Sequence, residues 1–482
     1  MEALLPISAT VNRAPKRPAV SASQFGANAP AIKLPLAFML TGLMALMVGA
    51  ISLVLQPSIL ASYHYSPYVV ALTHLFVLGW ISSIVMGAMY QLVPVALETK
   101  LYSEKLARWQ FALHVIGFVG MVWMFRSWNM KQVGHFGTVM TVGVGLFVFN
   151  IARTLLRVPK WNVTATAMAA ALFWISMTVL AGLSIATGKA LAESNDGVAL
   201  ERAGFLLSGL ISVASFVSHF DAISAMHAHA HLGGVGFFTM LIVGISYKLI
   251  PMFTLSEVQS RRRAGLSVVL LNIGLAGSFV TILLRSPWKL AFALVLVIAL
   301  GIYGWELGSI LRARKRRSLD WGIRYFLTAV TLLALVSLLA VVLSWPGLPL
   351  NPFMGQLENL YGFLGLTGVI SFAIIGMLYK IIPFLVWFGV YSRHLGRAKV
   401  PALSEMYSSR LQMIGYWNFL ISLIVISAGT LGQSESVIRI GSLFLVGSVT
   451  LLVLNVGKIL THAVRPRVTP FVTSRLVKGG SL

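Results

Sequence analysis

Residues 227–251 read HAHAHLGGVGFFTMLIVGISYKLIP, with Lys248 as the one formal charge. Such a run is long enough to cross a bilayer as an α-helix, which takes roughly 20 apolar residues. A helix also satisfies its own backbone hydrogen bonds there. The pattern occurs twice more, as HLFVLGWISSIVMGAMYQLVP at 74–94 and FLGLTGVISFAIIGMLYKIIP at 363–383. From its first residue, His74, His231 or Phe363, each copy repeats Gly79/Gly236/Gly368, Gly87/Gly244/Gly376, Tyr90/Tyr247/Tyr379 and Pro94/Pro251/Pro383 at identical spacing.

Outward from these three, further apolar runs place spans near 34–55, 67–95, 107–125, 134–155, 164–187, 224–251, 264–284, 288–311, 323–345, 358–388, 411–430 and 437–460. The repeated segments are the second, sixth and tenth, so the repeating unit is four helices and its copies run parallel, a form of duplication familiar in membrane proteins. The expected fold is all-α, a polytopic membrane protein of about twelve spans. It divides into units at 34–160, 161–320 and 321–464, with polar tails at 1–33 and 465–482. Composition agrees. Charged residues are 10% and hydrophobic residues 57% of the chain, and the mean hydropathy is +0.86, whereas a soluble domain carries about 25% charged residues. There is no cysteine, which excludes disulfides, thiolate metal sites and covalently attached c-type haem.

The net charge of +24 is a topology signal and argues no nucleic-acid partner. With the N-terminus inside, the outer segments hold only Arg126, Lys131, Lys189, Arg202, Arg285, Lys289 and Arg439 of the 37 Lys and Arg. The rest lie on the inner side, so both termini are expected in the cytoplasm, in a prokaryotic inner membrane. The first thirty or so residues read as a disordered tail without a cleavable signal. Residues 204–217, in the longest outer connection, read as an interfacial helix.

The repeated glycines are expected to let helices approach closely. The tyrosines are expected in the inner aromatic belt, and the prolines at helix ends. Glu306 is expected near the inner interface, paired with an Arg or Lys. Among the histidines, His394 and His462 are expected to be solvated, His64 and His135 to lie near the outer surface, and His114 to be structural. His74 and the run His227, His229, His231 differ. His74 and His231 hold the same repeat position about two turns inside the outer face, where an ionisable residue is costly and marks function. His227 and His231 are one turn apart and share a face, while His229 points away. Imidazole ligates iron, copper and zinc, and the intervening alanines leave room for a bulky group. Other uses of buried histidine are a hydrogen bond to a neighbouring helix or the lining of a proton path.

These features resemble subunit I of the haem–copper oxidase superfamily, in particular its C-type oxidase and nitric oxide reductase branch. The resemblance covers the topology of nearly the whole chain, but as sequence motif only the second, sixth and tenth spans. It implies His74 as a ligand of a low-spin haem and His231 as a ligand of copper. The family's tenth helix carries His-x-His, where this chain has Tyr361 and Phe363, and its seventh helix carries a histidine pair, where this chain has none. The usual haem and copper ligand sets are therefore incomplete. The His-x-His pattern stands instead on the sixth span, as His229 and His231. The cofactor ligands expected here are His74, His227, His229 and His231, holding a b-type haem between the second and sixth spans, with His227 and His231 as the metal pair should copper be present.

The function this implies is electron transfer or chemistry on O2 or NO, an oxidoreductase role. A cytochrome or quinol would donate electrons, and further membrane subunits would join it in the bilayer. The competing readings are a non-catalytic scaffold subunit of a respiratory or oxidative complex, and a transporter. The latter fits poorly, since transporter repeats are usually inverted or two sixes. No phosphate-binding loop, Gly-x-Gly-x-x-Gly motif or nucleophilic triad is present.

Overall fold

A computed structural model describes residues 32–193, 205–349 and 351–470. The two expected tails fall largely outside the described residues. Among those described, twelve helices are long and apolar enough to cross a membrane. They are α1 (Lys33–Leu55), α2 (Pro67–Ala96), α3 (Glu104–Arg126), α4 (Met130–Leu155), α5 (Val163–Ala192), α6 (Ala222–Thr254), α7 (Arg261–Leu283), α8 (Lys289–Arg312), α9 (Trp321–Leu343), α10 (Pro352–His394), α11 (Ser409–Leu431) and α12 (Glu435–Val464). The chain is an all-α polytopic membrane protein. Large apolar side chains such as Met44, Trp123, Leu338 and Ile424 stand exposed on these helices, as they must where the solvent is lipid. A short helix, Phe205–Ser218, packs along α5.

α10 is the most enclosed span, with 83% of its apolar window buried, followed by α6 with 67%. The same departure from α-helix occurs in α2, α6 and α10. A π-helical segment begins one residue after His74, His231 and Phe363, at Leu75–Ser82, Leu232–Thr239 and Leu364–Ile370. The wide turn displaces carbonyls from their usual partners, and hydroxyls five residues on take up the slack. Ser83 Oγ donates to the Leu78 carbonyl, Thr239 Oγ1 to Gly234 and Ser371 Oγ to Leu366. π-Turns of this kind are frequent at functional sites.

The basic end of the bundle is built three times over. Ser103, Ser260 and Ser408 cap α3, α7 and α11. Their backbones are gripped from the following helix by Asn150, Glu306 and Asn455. Glu306 is fully buried and also pairs with Arg263 at 2.7 Å, as its sequence reading anticipated. At the opposite end, the α3–α4, α7–α8 and α11–α12 hairpins each turn through a left-handed residue, Trp128, Arg285 and Gln433.

Repeated glycines pack each long helix on the first helix of its own unit. A Cβ at Gly87 would stand 2.6 Å from the Cβ of Phe38, one at Gly244 2.3 Å from that of Ala167, and one at Gly376 2.5 Å from the Gly322 carbonyl oxygen. Two expectations hold only in part. The tyrosines stand at the basic end but are buried inside the bundle and not displayed to lipid as a belt, with Tyr90 donating to Gln110 and Tyr247 bonding Ser267 there. Pro94 and Pro251 do stand in the last turn of their helices, which end at Ala96 and Thr254, whereas Pro383 lies inside α10, which continues to His394. Near a helix end the carbonyl that proline leaves unpaired costs little, which suits Pro94 and Pro251 but not Pro383, well inside α10.

Candidate functional site

The end of the bundle opposite the basic loops gathers most of the histidines. His74 closes the α-helical part of α2, and its Nδ1–H donates to the Val70 carbonyl at 2.8 Å. His231 does the same in α6, donating to the His227 carbonyl at 2.7 Å. A carbonyl can only accept, so the bond fixes each ring's tautomer and leaves Nε2 with a free lone pair. That is how ligating histidines are commonly oriented.

The four sequence-predicted histidines do not form one cluster. His227 and His231 share a face of α6 directed at α10 and the α1–α2 connection, as their spacing predicted. Their Nε2 atoms nonetheless meet different partners. His231 Nε2 accepts from the Tyr361 hydroxyl at 3.2 Å, with the rings stacked, while His227 Nε2 lies 3.1 Å from His64 Nε2. His229 points the other way, against α5, where a Cβ at Gly182 would stand 2.8 Å from its Cε1. Its buried Nδ1 has no partner, and it lies within electrostatic reach of His74. The His74 ring packs 4.4 Å from Phe125 of α3.

Three residues join the site that the sequence did not single out. Tyr361 was noted only as a departure from His-x-His. Glu358 begins the predicted tenth span, but α10 starts earlier, at Pro352, because Asn351 caps it by accepting from the Met354 N–H. Glu358 and Tyr361 thus stand three residues apart on a formed helix, on neighbouring positions of its surface. His64, expected to be incidental, is set in place by α10. Gln356 donates to the Ala61 carbonyl at 3.0 Å and Asn359 to the Ser62 carbonyl at 2.7 Å. These bonds pin the loop so that His64 Nε2 lies 3.7 Å from Glu358 Oε2. Burial holds the His64 imidazole below its ordinary pKa and so favours the neutral ring. The Glu358-x-x-Tyr361 spacing was the available signal, whereas nothing in the sequence paired His64 with it.

Elsewhere, His114 is buried and bonds Ser83 at 2.9 Å, a structural role as read. His462, expected to be solvated, is only 2% exposed and bonds Tyr391. The α12 helix carries it back against α10, which sequence periodicity could not show.

The residues present fit a flat, bulky cofactor on one count in particular. Gly234 on α6 and Gly362 and Gly365 on α10 have nothing within 4 Å of where a Cβ would stand, although these are the two most enclosed helices. These positions lie within about one helical turn of His231 and Tyr361 along the chain.

Residues 25–130 match the family model described as Cytochrome C and Quinol oxidase polypeptide I. This chain is a divergent protein similar to oxidase subunit I. The matched stretch takes in α1, α2 and α3, including His74, Gly79, Gly87, Tyr90 and Pro94. It stops short of α6 and α10, where this oxidase-subunit-I-like chain departs from the family's ligand pattern. No curated protein matches the chain.

Proposed function

We propose that this oxidase-subunit-I-like membrane protein binds a b-type haem and acts in electron transfer or in chemistry on a diatomic gas. The observation that carries the reading is the pair of repeat-equivalent imidazoles, His74 and His231, each with Nδ1–H tied to the carbonyl four residues back. His74 is the first ligand. His229, within electrostatic reach of it, or His231 supplies the second from α6. When bound, haem supplies a reversible one-electron couple and a face for a diatomic ligand. The chain's own part is to fix the ring orientations through the Val70 and His227 carbonyls, and to keep the space beside Gly234, Gly362 and Gly365 clear. Where His229 is the second ligand, His231 Nε2 keeps the hydrogen bond from the Tyr361 hydroxyl and Tyr361 offers a proton there. Copper in the family's manner has little support, because α7 carries no histidine and the Nε2 atoms of His227 and His231 face different partners. Electrons come from a cytochrome or a quinol, with further membrane subunits as partners, and both termini lie in the cytoplasm of a prokaryotic inner membrane.

The missing α7 histidines and the Tyr361 and Phe363 positions favour a second reading, a scaffold subunit of a larger respiratory complex. A reduced-minus-oxidised visible spectrum of the protein purified from haem-replete cells separates the two. The haem reading expects a b-type signal at one haem per chain, lost in His74→Ala and retained in His135→Ala. A colourless wild type overturns it and leaves the scaffold.

A further inference from the structure

We propose that His64, His227 and Glu358 form a binding site for one divalent first-row metal ion, distinct from the haem pocket and not dependent on the haem reading. The three residues come from separate elements, the α1–α2 connection, α6 and α10. One donor atom from each lies within 4.8 Å of the other two.

The spacing suits a coordination shell. Around an ion bound at about 2.0–2.1 Å, neighbouring tetrahedral ligands stand roughly 3.3 Å apart. The two Nε2 atoms are 3.1 Å apart, with ring centroids 5.2 Å apart, and Glu358 Oε2 is 3.7 Å from His64 Nε2. A small closing movement of the carboxylate completes the set. The His64 side chain is 13% exposed and that of Glu358 38%, so an ion can enter from the surface without opening the bundle.

The donor chemistry selects the ion. Two imidazole nitrogens and one carboxylate oxygen suit zinc, iron(II) or copper(II), whereas magnesium and calcium take oxygen ligands. Three protein ligands leave a fourth position for water or a small molecule. The charge balance also fits, since one carboxylate offsets half of the ion's charge. Asp221 and Lys289, which act on His227 electrostatically, oppose each other in sign, and Lys289 is partly engaged by the Leu343 carbonyl at 3.3 Å. A plain hydrogen bond between two neutral imidazoles would explain the His64–His227 contact alone. It gives no reason for the carboxylate to converge on the same atoms, or for α10 to spend two side-chain amides on fixing the His64 loop.

The test uses the full chain in mild detergent, carried on a tag without histidine, stripped with a chelator and titrated with zinc ion against a chromophoric competitor. One zinc per chain is expected, bound at least tenfold more weakly by Glu358→Gln and His64→Ala and unchanged in His135→Ala. Glu358→Gln keeps the side chain's shape and decides the matter if His64→Ala misfolds. The absence of stoichiometric zinc binding in the wild type, or undiminished binding in Glu358→Gln, overturns the proposal. The haem spectrum of Glu358→Gln is expected to match wild type, so loss of the metal and loss of the haem are separately visible.

Discussion

The long helices α2, α6 and α10 are alike at the basic end and unlike at the other. At the basic end each delivers a buried tyrosine, and the neighbouring hairpin closes with a capping serine held by Asn150, Glu306 or Asn455. At the other end the equivalent positions hold His74, His231 and Phe363, and one turn-half earlier Leu72, His229 and Tyr361. Between the two halves sits a π-turn in the same register in all three helices. The difference teaches where each constraint acts. A hairpin clamp answers to backbone donors and acceptors that every copy must satisfy, so it has one solution used three times. The histidine end answers to whatever it binds, and there each copy carries different side chains on the same backbone.

That contrast can be broken at the clamp first. Glu306→Ala leaves Arg263 and two capping amides without their acceptor, and removing one partner of a buried ion pair costs about 3–5 kcal/mol. A large fall in thermal unfolding temperature in detergent is expected. A fall no larger than that of a surface variant would show that the three clamps are not equivalent supports. Helix packing gives a middle-sized effect with a change of sign. In Gly376→Ala the new methyl meets the Gly322 backbone oxygen, and overpacking costs about 1–3 kcal/mol. In Gly234→Ala it meets nothing, and replacing glycine within a helix gains about 0.5–1 kcal/mol. Equal melting temperatures in the two variants would contradict the open space beside α6.

The smallest effect lies at the start of the histidine end. Asp221 caps α6 by accepting from the Ser224 N–H and hydroxyl, which holds its carboxyl below the ordinary 3.8. A carboxyl with a lowered folded pKa stabilises above its unfolded value, and the benefit is lost as pH falls through the folded one. Asp221→Ala is therefore expected to cost about 0.5–1 kcal/mol at neutral pH. The gap between variant and wild type should close below pH 3.8, as unfolding followed across pH 3 to 7 would show. A gap that persists at the acid end would mean the cap does not act through its charge.

The spans, and the matched positions of His74 and His231 on repeated helices, were legible in the sequence. Apolar length and residue spacing are properties of the chain itself, and the bilayer turns them directly into helices. The sequence also separated His229 from His227 and His231, because helical periodicity fixes which side chains share a face. It could not show that His64 meets both His227 and Glu358, that Tyr361 meets His231, or that His462 is buried against Tyr391. These contacts join residues far apart in the chain, and their existence depends on how α6, α10 and the α1–α2 connection pack. The π-turns were hidden for a related reason. A carbonyl displaced from its ladder is recovered by a hydroxyl five residues on, and no local propensity records that exchange. The sequence by itself therefore determined the membrane fold and its repeat, while only the tertiary structure decided which imidazoles face one another and what could lie between them.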